Sequence, residues 1–316
     1  MGLKLVLRSY GGDNHKGRPP FYSKDLVVAS FLRAAAEVRE ATSTAPDDVE
    51  VFFVNDGPIP PHRLRVMEDR GTVLPIPGGP VGMRRSYVYG LDLPDRLGWS
   101  DDDIVVYVED DYLLSHDAFV VLLQGVEAMP DVSYFALSGS RPDDLTDPAE
   151  RLKHQVPRGW APAEPDRRIG AHTWVHILSV ASTFAARVGP LVADRDIFEQ
   201  AMRPFRNRYL DHETCLLYQG IVPYHGWELV TGLPGDFVPS LRGVGRAVVL
   251  TPYRVLLNRR ARRQREPHTL YAPQPSVAAH LEIGMMSTGR DWAAVAAEVA
   301  AWSQQQGLGL SVARSA

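Results

Sequence analysis

The densest chemistry in this chain is Glu109-Asp110-Asp111, three carboxylates in succession. They close the apolar run Ile104-Val105-Val106-Tyr107-Val108, and Tyr112-Leu113-Leu114 turns apolar again behind them. A short β-branched run between polar boundaries predicts a strand buried on both faces. Such strands belong to a mostly parallel sheet covered by helices. Open α/β sheets bind ligands beyond the carboxyl ends of their strands, which is where these acids stand. Clustered carboxylates are costly there unless a cation neutralises them. A divalent cation with oxygen ligands, itself carrying a diphosphate, fits that requirement. A solvated acidic strand end or a helix N-cap is the ordinary alternative.

Three further segments carry candidate chemistry. Asn55-Asp56-Gly57-Pro58 ends a second apolar run, Val49 to Val54. Asp56 there can hydrogen-bond a base or ribose, although the same four residues are strong turn chemistry. In Pro77-Gly78-Gly79-Pro80-Val81-Gly82-Met83-Arg84-Arg85-Ser86, glycines allow close backbone approach to a ligand. The helix expected behind it offers N–H groups to an anion, and Arg84 or Arg85 can meet a diphosphate. The segment lacks the Lys-Ser/Thr ending of a P-loop, and a plain loop with two solvated arginines is the alternative. Asp211-His212-Glu213 opens a later helix. Acids in a first turn are stabilised by the helix dipole, so capping competes with a general-base role for one of them. His212 can serve as an acid–base group and His280 as a neutral nitrogen ligand for a metal, though a lone histidine is more often structural.

The elements that position these residues are legible from periodicity. Strands are expected at 3–8, 49–54, 72–76, 104–109, 132–137 and 172–178, and helices at 21–45, 62–70, 86–93, 117–129, 194–203 and 291–302. Ser23 is a candidate N-cap for the first helix. Residues 141–171 are rich in proline and charge and read as a long surface excursion anchored by Trp160. Residues 245–257 are apolar and lead into the basic run Arg259 to Arg265. That run is a solvated face or a contact for anionic lipid head groups. The tail after Gly307 is expected to be disordered.

Composition sets the outer bounds. A chain of 316 residues with 45% hydrophobic and 23% charged residues is an ordinary soluble globular protein of one large domain or two modest ones. A net charge of −4 gives no argument for nucleic-acid binding. Cys215 is the single cysteine, which excludes an intrachain disulfide; its apolar neighbours predict a buried, inert thiol. The first residues are too short and too soon interrupted for a signal peptide. No apolar segment is long enough to span a bilayer. A cytoplasmic location is the expectation, with peripheral membrane contact through Arg259–Arg265 left open.

Taken in order, Asn55-Asp56-Gly57-Pro58, the Gly/Arg segment running into Tyr89-Gly90-Leu91, Glu109-Asp110-Asp111-Tyr112 and Asp211-His212-Glu213 resemble the GT-A fold glycosyltransferases, close to the family-2 type, over roughly residues 3–220. The resemblance implies an α/β fold with a Rossmann-like, mostly parallel sheet. It implies transfer of a sugar from a nucleotide-diphosphate sugar to an acceptor hydroxyl, with inversion, assisted by Mn2+ or Mg2+. By the same resemblance Asp56 contacts the base, Glu109 lies on the ribose side, and Asp110 belongs to the diphosphate motif. Asp111 is then the metal ligand, His280 completes the metal shell, and Asp211 or Glu213 is the base. Residues 1–220 become the catalytic core, and 221–316 an extension completing the acceptor side and the metal site. The absence of Gln-x-x-Arg-Trp argues against a processive polysaccharide synthase. A nucleotidyltransferase on a related sheet, and a non-catalytic nucleotide- or carbohydrate-binding module, are the competing readings.

Overall fold

A computed structural model describes residues 1–12, 16–41, 48–139, 141–142, 144–202, 210–233 and 236–312. Strand β1 (Leu3–Tyr10) sends Leu3, Leu5 and Leu7 into one core and Val6 into another. Strand β2 (Val49–Asp56) separates Val51 and Phe53 from Phe52 and Val54 in the same way. Successive strand side chains point to opposite faces, so a strand apolar at nearly every position needs cover on both sides.

Between these strands, helix α1 (Lys24–Ala41) begins where Ser23 Oγ accepts the Leu26 amide at 3.0 Å, as the cap expected. Then come α2 (Pro61–Arg70), β3 (Thr72–Pro75), α3 (Met83–Leu91), α4 (Leu93–Leu97), β4 (Ile104–Glu109), β5 (Tyr112–Leu114), α5 (Ala118–Ala128) and β6 (Tyr134–Ala136). The surface excursion contains α6 (Pro148–Lys153) and β7 (Arg167–Ile169), and buried Trp160 anchors it against Leu178 and Leu216. Next follow β8 (His172–His176), β9 (Phe184–Arg187), α7 (Val188–Ala193), α8 (Arg195–Met202), α9 (Asp211–Tyr218), α10 (Glu228–Thr231) and α11 (Leu241–Arg263). The chain closes with β10 (Leu270–Gln274), β11 (Ala278–His280) and α12 (Trp292–Gln305).

The main sheet has the order β3-β2-β1-β4-β9-β6-β10-β8-β7. Strands β3, β2, β1 and β4 are parallel neighbours. Strand β9 opposes β4 and β6, β10 is parallel to β6, and β8 opposes both β10 and β7. Only β9 and β8 therefore run against the other strands, and the sheet is mostly parallel, as expected. Helices α1, α5 and α12 bury their apolar sides in one core, and α3, α8 and α9 in the other.

Two local expectations shift. Helix α3 starts at Met83 rather than Ser86, directly after Gly82 at φ 84°. Residues 308–312 are packed rather than loose: Leu308 is buried in the core and the Ser311 amide donates to Asp25 Oδ2 at 2.8 Å. Residues past 220 return to the sheet, with β10 between β6 and β8 and α12 against α1. The expected reach of the first helix to 45 and of the helix at 194 to 203 falls outside the described residues. Among the described residues no helix is long and apolar enough to cross a membrane.

Candidate active site

Strand register brings the carboxyl ends of β1, β2 and β4 together, with Arg8 beside Glu109 and Tyr10 beside Asp56. A cavity of about 1660 Å³ opens there. It exceeds the roughly 300–1,000 Å³ of most small-ligand sites, which leaves room for two substrates. Its walls carry Asp56, Glu109, Asp110, Asp111, Asp211 and Glu282.

The three successive acids go three ways. Glu109 forms an ion pair with Arg8, while its amide donates to Thr183 Oγ1 at 3.1 Å. Burial pushes the Glu109 carboxyl up; Arg8 opposes that, and the negative charges of Asp111 and Asp110 add to it. Asp110 turns toward β1, where it accepts the Tyr10 amide at 2.6 Å, Lys24 Nζ at 2.8 Å and Ser9 Oγ at 3.3 Å. Asp111 faces Arg18 Nη2 at 3.0 Å, His280 Nε2 at 3.2 Å and Lys16 Nζ at 3.8 Å. Burial works to raise the Asp111 pKa, but the hydrogen bonds and charges of His280 and Arg18 outweigh it and hold the carboxyl at about 2.

A two-stranded sheet makes the Asp111–His280 junction. Antiparallel pairing of β11 with β5 sets His280 opposite Tyr112. Their rings stack at 4.9 Å, and the Leu281 amide donates to the Asp111 carbonyl at 2.8 Å. Two residues 169 positions apart in the chain thereby become neighbours.

The donor set would fit a divalent cation only at an open site that phosphate oxygens and water complete. Asp111 and His280 supply a carboxylate oxygen and an imidazole nitrogen, with Glu282 Oε2 3.7 Å from that nitrogen. Among the described residues no group of three or more His, Cys, Asp or Glu side chains is placed to hold a metal. A closed structural site is thus not built. Mg2+-like ions at phosphate sites typically take one or two protein ligands and fill the remainder with phosphate oxygens and water. Imidazole is also acceptable to the softer members of this group.

Asp56 lines the cavity, but its carboxylate accepts the Val81 amide at 2.6 Å and the Gly82 amide at 2.9 Å. It therefore shapes the glycine loop. A Cβ on Gly79 would stand 2.8 Å from the Gly57 nitrogen, so only glycine permits that approach. Arg84 and Arg85 lie in the first turn of α3, half-buried and exposed, and neither lines the cavity. The cavity's cations are instead Arg8, Lys16, Lys24 and Lys153, with Arg18 on Asp111. Arg8 also donates to Ser86 Oγ at 2.9 Å, which ties α3 to β1. Sequence reasoning marks the loop from Ser9 to Pro20, with Lys16 and Arg18, as a place for ligand contacts but gives none of these cations a role. That loop can be tied to the acids only once β1 and β4 are known to be neighbours, while Arg8 and Lys24 come from β1 and α1 themselves.

Helix α9 separates its two acids. Asp211 lines the cavity, and its Oδ1 accepts the His212 amide at 2.9 Å. Glu213 lies on the wall of a second cavity of about 850 Å³, where it accepts the Tyr224 hydroxyl at 2.6 Å. Residues two apart on a helix point in nearly opposite directions. His212 sits between Ser179 Oγ at 2.8 Å and the Gln155 carbonyl at 3.2 Å, and burial lowers its pKa. Burial also pushes the Cys215 thiol up to about 12, in keeping with an inert buried thiol.

No family model and no curated protein matches the chain. Solved structures similar to it include S. aureus TarS residues 1–349, at 13% identity and a TM-score of 0.41 over 69% of this chain and 56% of that one. The same TarS segment in complex with UDP matches at 13% identity and a TM-score of 0.41, over 69% and 54%. Glucosyl-3-phosphoglycerate synthase from Mycobacterium tuberculosis, in complex with Mn2+, UDP and glucosyl-3-phosphoglycerate, matches at 16% identity and a TM-score of 0.37, over 82% and 80%. The chain spans about half the length of the TarS segments it matches. Functional argument rests on the chain's own site.

Proposed function

We propose that this chain is a glycosyltransferase that moves a sugar from a nucleoside-diphosphate donor to an acceptor hydroxyl, with a Mn2+ or Mg2+ ion held by Asp111 and His280. The carrying observation is the Asp111–His280 pair, built by β5 and β11 on the wall of the cavity at the strand ends. A divalent ion there would neutralise charge developing on the leaving diphosphate. Lys16 and Arg18, which pair with Asp111, are placed to turn onto the phosphate oxygens. Arg8 holds Glu109 and the first turn of α3, so it positions the donor side of the cavity. Asp56 supports the base end through the loop that it holds in shape. Arg84 and Arg85 would reach a diphosphate only through movement of that loop.

Asp211 is the proposed base. It faces the cavity from the first turn of α9, where it can take the acceptor proton as the new bond forms. Attack from the face opposite the leaving group would invert the anomeric carbon. Glu213 is turned away and held by Tyr224, which gives it a positioning role.

Calorimetry with UDP, GDP and dTDP, each with and without Mn2+, tests this reading. Metal-dependent binding of one nucleotide, lost in Asp111→Asn and in His280→Ala, is expected. No nucleotide binding at all would sink the transferase reading. Binding that ignores Mn2+ but fails in Arg18→Ala would remove the metal and leave the chain's own cations as the diphosphate site.

A further inference from the structure

We propose that the outward face of α11 docks this protein on an anionic membrane surface. Helix α11 turns Ala247, Leu257 and Ala261 inward. On the opposite side Leu241 is 95% exposed and Val248 is 65% exposed, with Val244 and Val249 also open to solvent. Residues 241, 244 and 248 repeat at helical spacing and form one aliphatic stripe. Arg259, Arg262 and Arg263 are exposed at its carboxyl end. Trp227 caps α10, which packs on α11, and it is 81% exposed.

Charge identifies the occupant. The sequence of α11 holds arginines at 242, 246, 254, 259, 260, 262 and 263 and contains no Asp or Glu. Arg254 is buried on the Leu229 and Val230 carbonyls, and Arg260 pairs with Asp196. Among the described residues no acid pairs with the five remaining arginines. An aliphatic stripe flanked by arginines matches a helix lying in the bilayer interface. There the apolar side chains enter the acyl boundary and the guanidinium groups meet lipid phosphates. A parallel two-fold pairing with a second copy would bring the same arginines against each other. The contact is centred on the aliphatic stripe, with the basic run at one end, and it does not depend on the glycosyltransferase reading.

The test is co-sedimentation of the full chain with phosphatidylcholine vesicles and with vesicles that also contain phosphatidylglycerol. Pelleting with the anionic vesicles only is expected. It should weaken between about 0.1 M and about 1 M salt, as the screening length falls from roughly 10 to 3 Å. Combined Leu241→Ser, Val244→Ser and Val248→Ser should abolish pelleting with an unchanged thermal melt and unchanged nucleotide binding. Replacing Arg259, Arg262 and Arg263 by Ser should weaken it by roughly fivefold per arginine. Failure to pellet with anionic vesicles would overturn the proposal, as would pelleting that survives both sets of substitutions. A dimer in ultracentrifugation that the aliphatic substitutions break, without vesicle binding, would equally overturn it in favour of a self-interface.

Discussion

The end of β4 and the outer face of α11 handle charge in opposite ways. At the strand end each of three adjacent carboxylates has a cation of its own: Arg8 for Glu109, Lys24 for Asp110, and Arg18 with Lys16 for Asp111. On α11 several arginines stand with no acid partner among the described residues. Buried charges left alone are strongly destabilising, so those inside must be matched for the chain to fold. Exposed charges remain hydrated and cost little, so those outside can wait for an external partner.

Breaking the internal match should have the largest effect. Asp111→Ala leaves half-buried Arg18 without its carboxylate, while Glu282 still holds Lys16 and faces His280. It should cost about 3 kcal/mol in urea unfolding and abolish nucleotide binding in calorimetry. Asp211→Asn should lower kcat by roughly 100-fold with the melting temperature unchanged; retention of turnover would remove Asp211 as base. Asp110→Asn tests whether neighbouring acids have separate duties. It should destabilise by about 1–3 kcal/mol, since Lys24 loses its counter-charge and the Tyr10 amide keeps only a neutral acceptor, while metal affinity stays near wild type. Tyr224→Phe should cost about 1–2 kcal/mol by stranding buried Glu213 and leave donor KM unmoved.

The smallest effect is a pH dependence. Burial lowers the pKa values of His172, His176 and His212 below the ordinary 6.5. The unfolded chain then binds more protons than the folded one, so stability should fall as pH drops below 6.5. Asp111, held at about 2 against an ordinary 3.8, adds stability that is present above 3.8 and lost as pH falls toward 2. Melting temperatures measured from pH 8 downward should show the histidine loss first.

Much of this architecture was readable along the chain. The expected strands at 3–8, 49–54 and 104–109 appear as β1, β2 and β4, and the capped helix after Ser23 as α1. These depend on side-chain period and capping, which are local. Trp160 as an anchor and Cys215 as a buried thiol followed from the same kind of reasoning. The start of α3 was misplaced because Gly82, at a φ of 84°, is a cap that composition does not distinguish from any other loop glycine. The packed residues 308–312 were missed because their partner, Asp25, lies at the other end of the chain.

By itself the sequence determined that three carboxylates would end a buried strand, since an apolar β-branched run followed by acids permits little else. It also put acids at the start of α9 and a histidine near residue 280. Which charge meets which was decided by tertiary structure. The pairing of β11 with β5 delivers His280 to Asp111, the adjacency of β1 and β4 delivers Arg8 to Glu109, and the roll of α9 keeps Asp211 in the cavity while taking Glu213 out. Periodicity is a property of neighbours in sequence, whereas strand order and register are set by burial of the whole sheet.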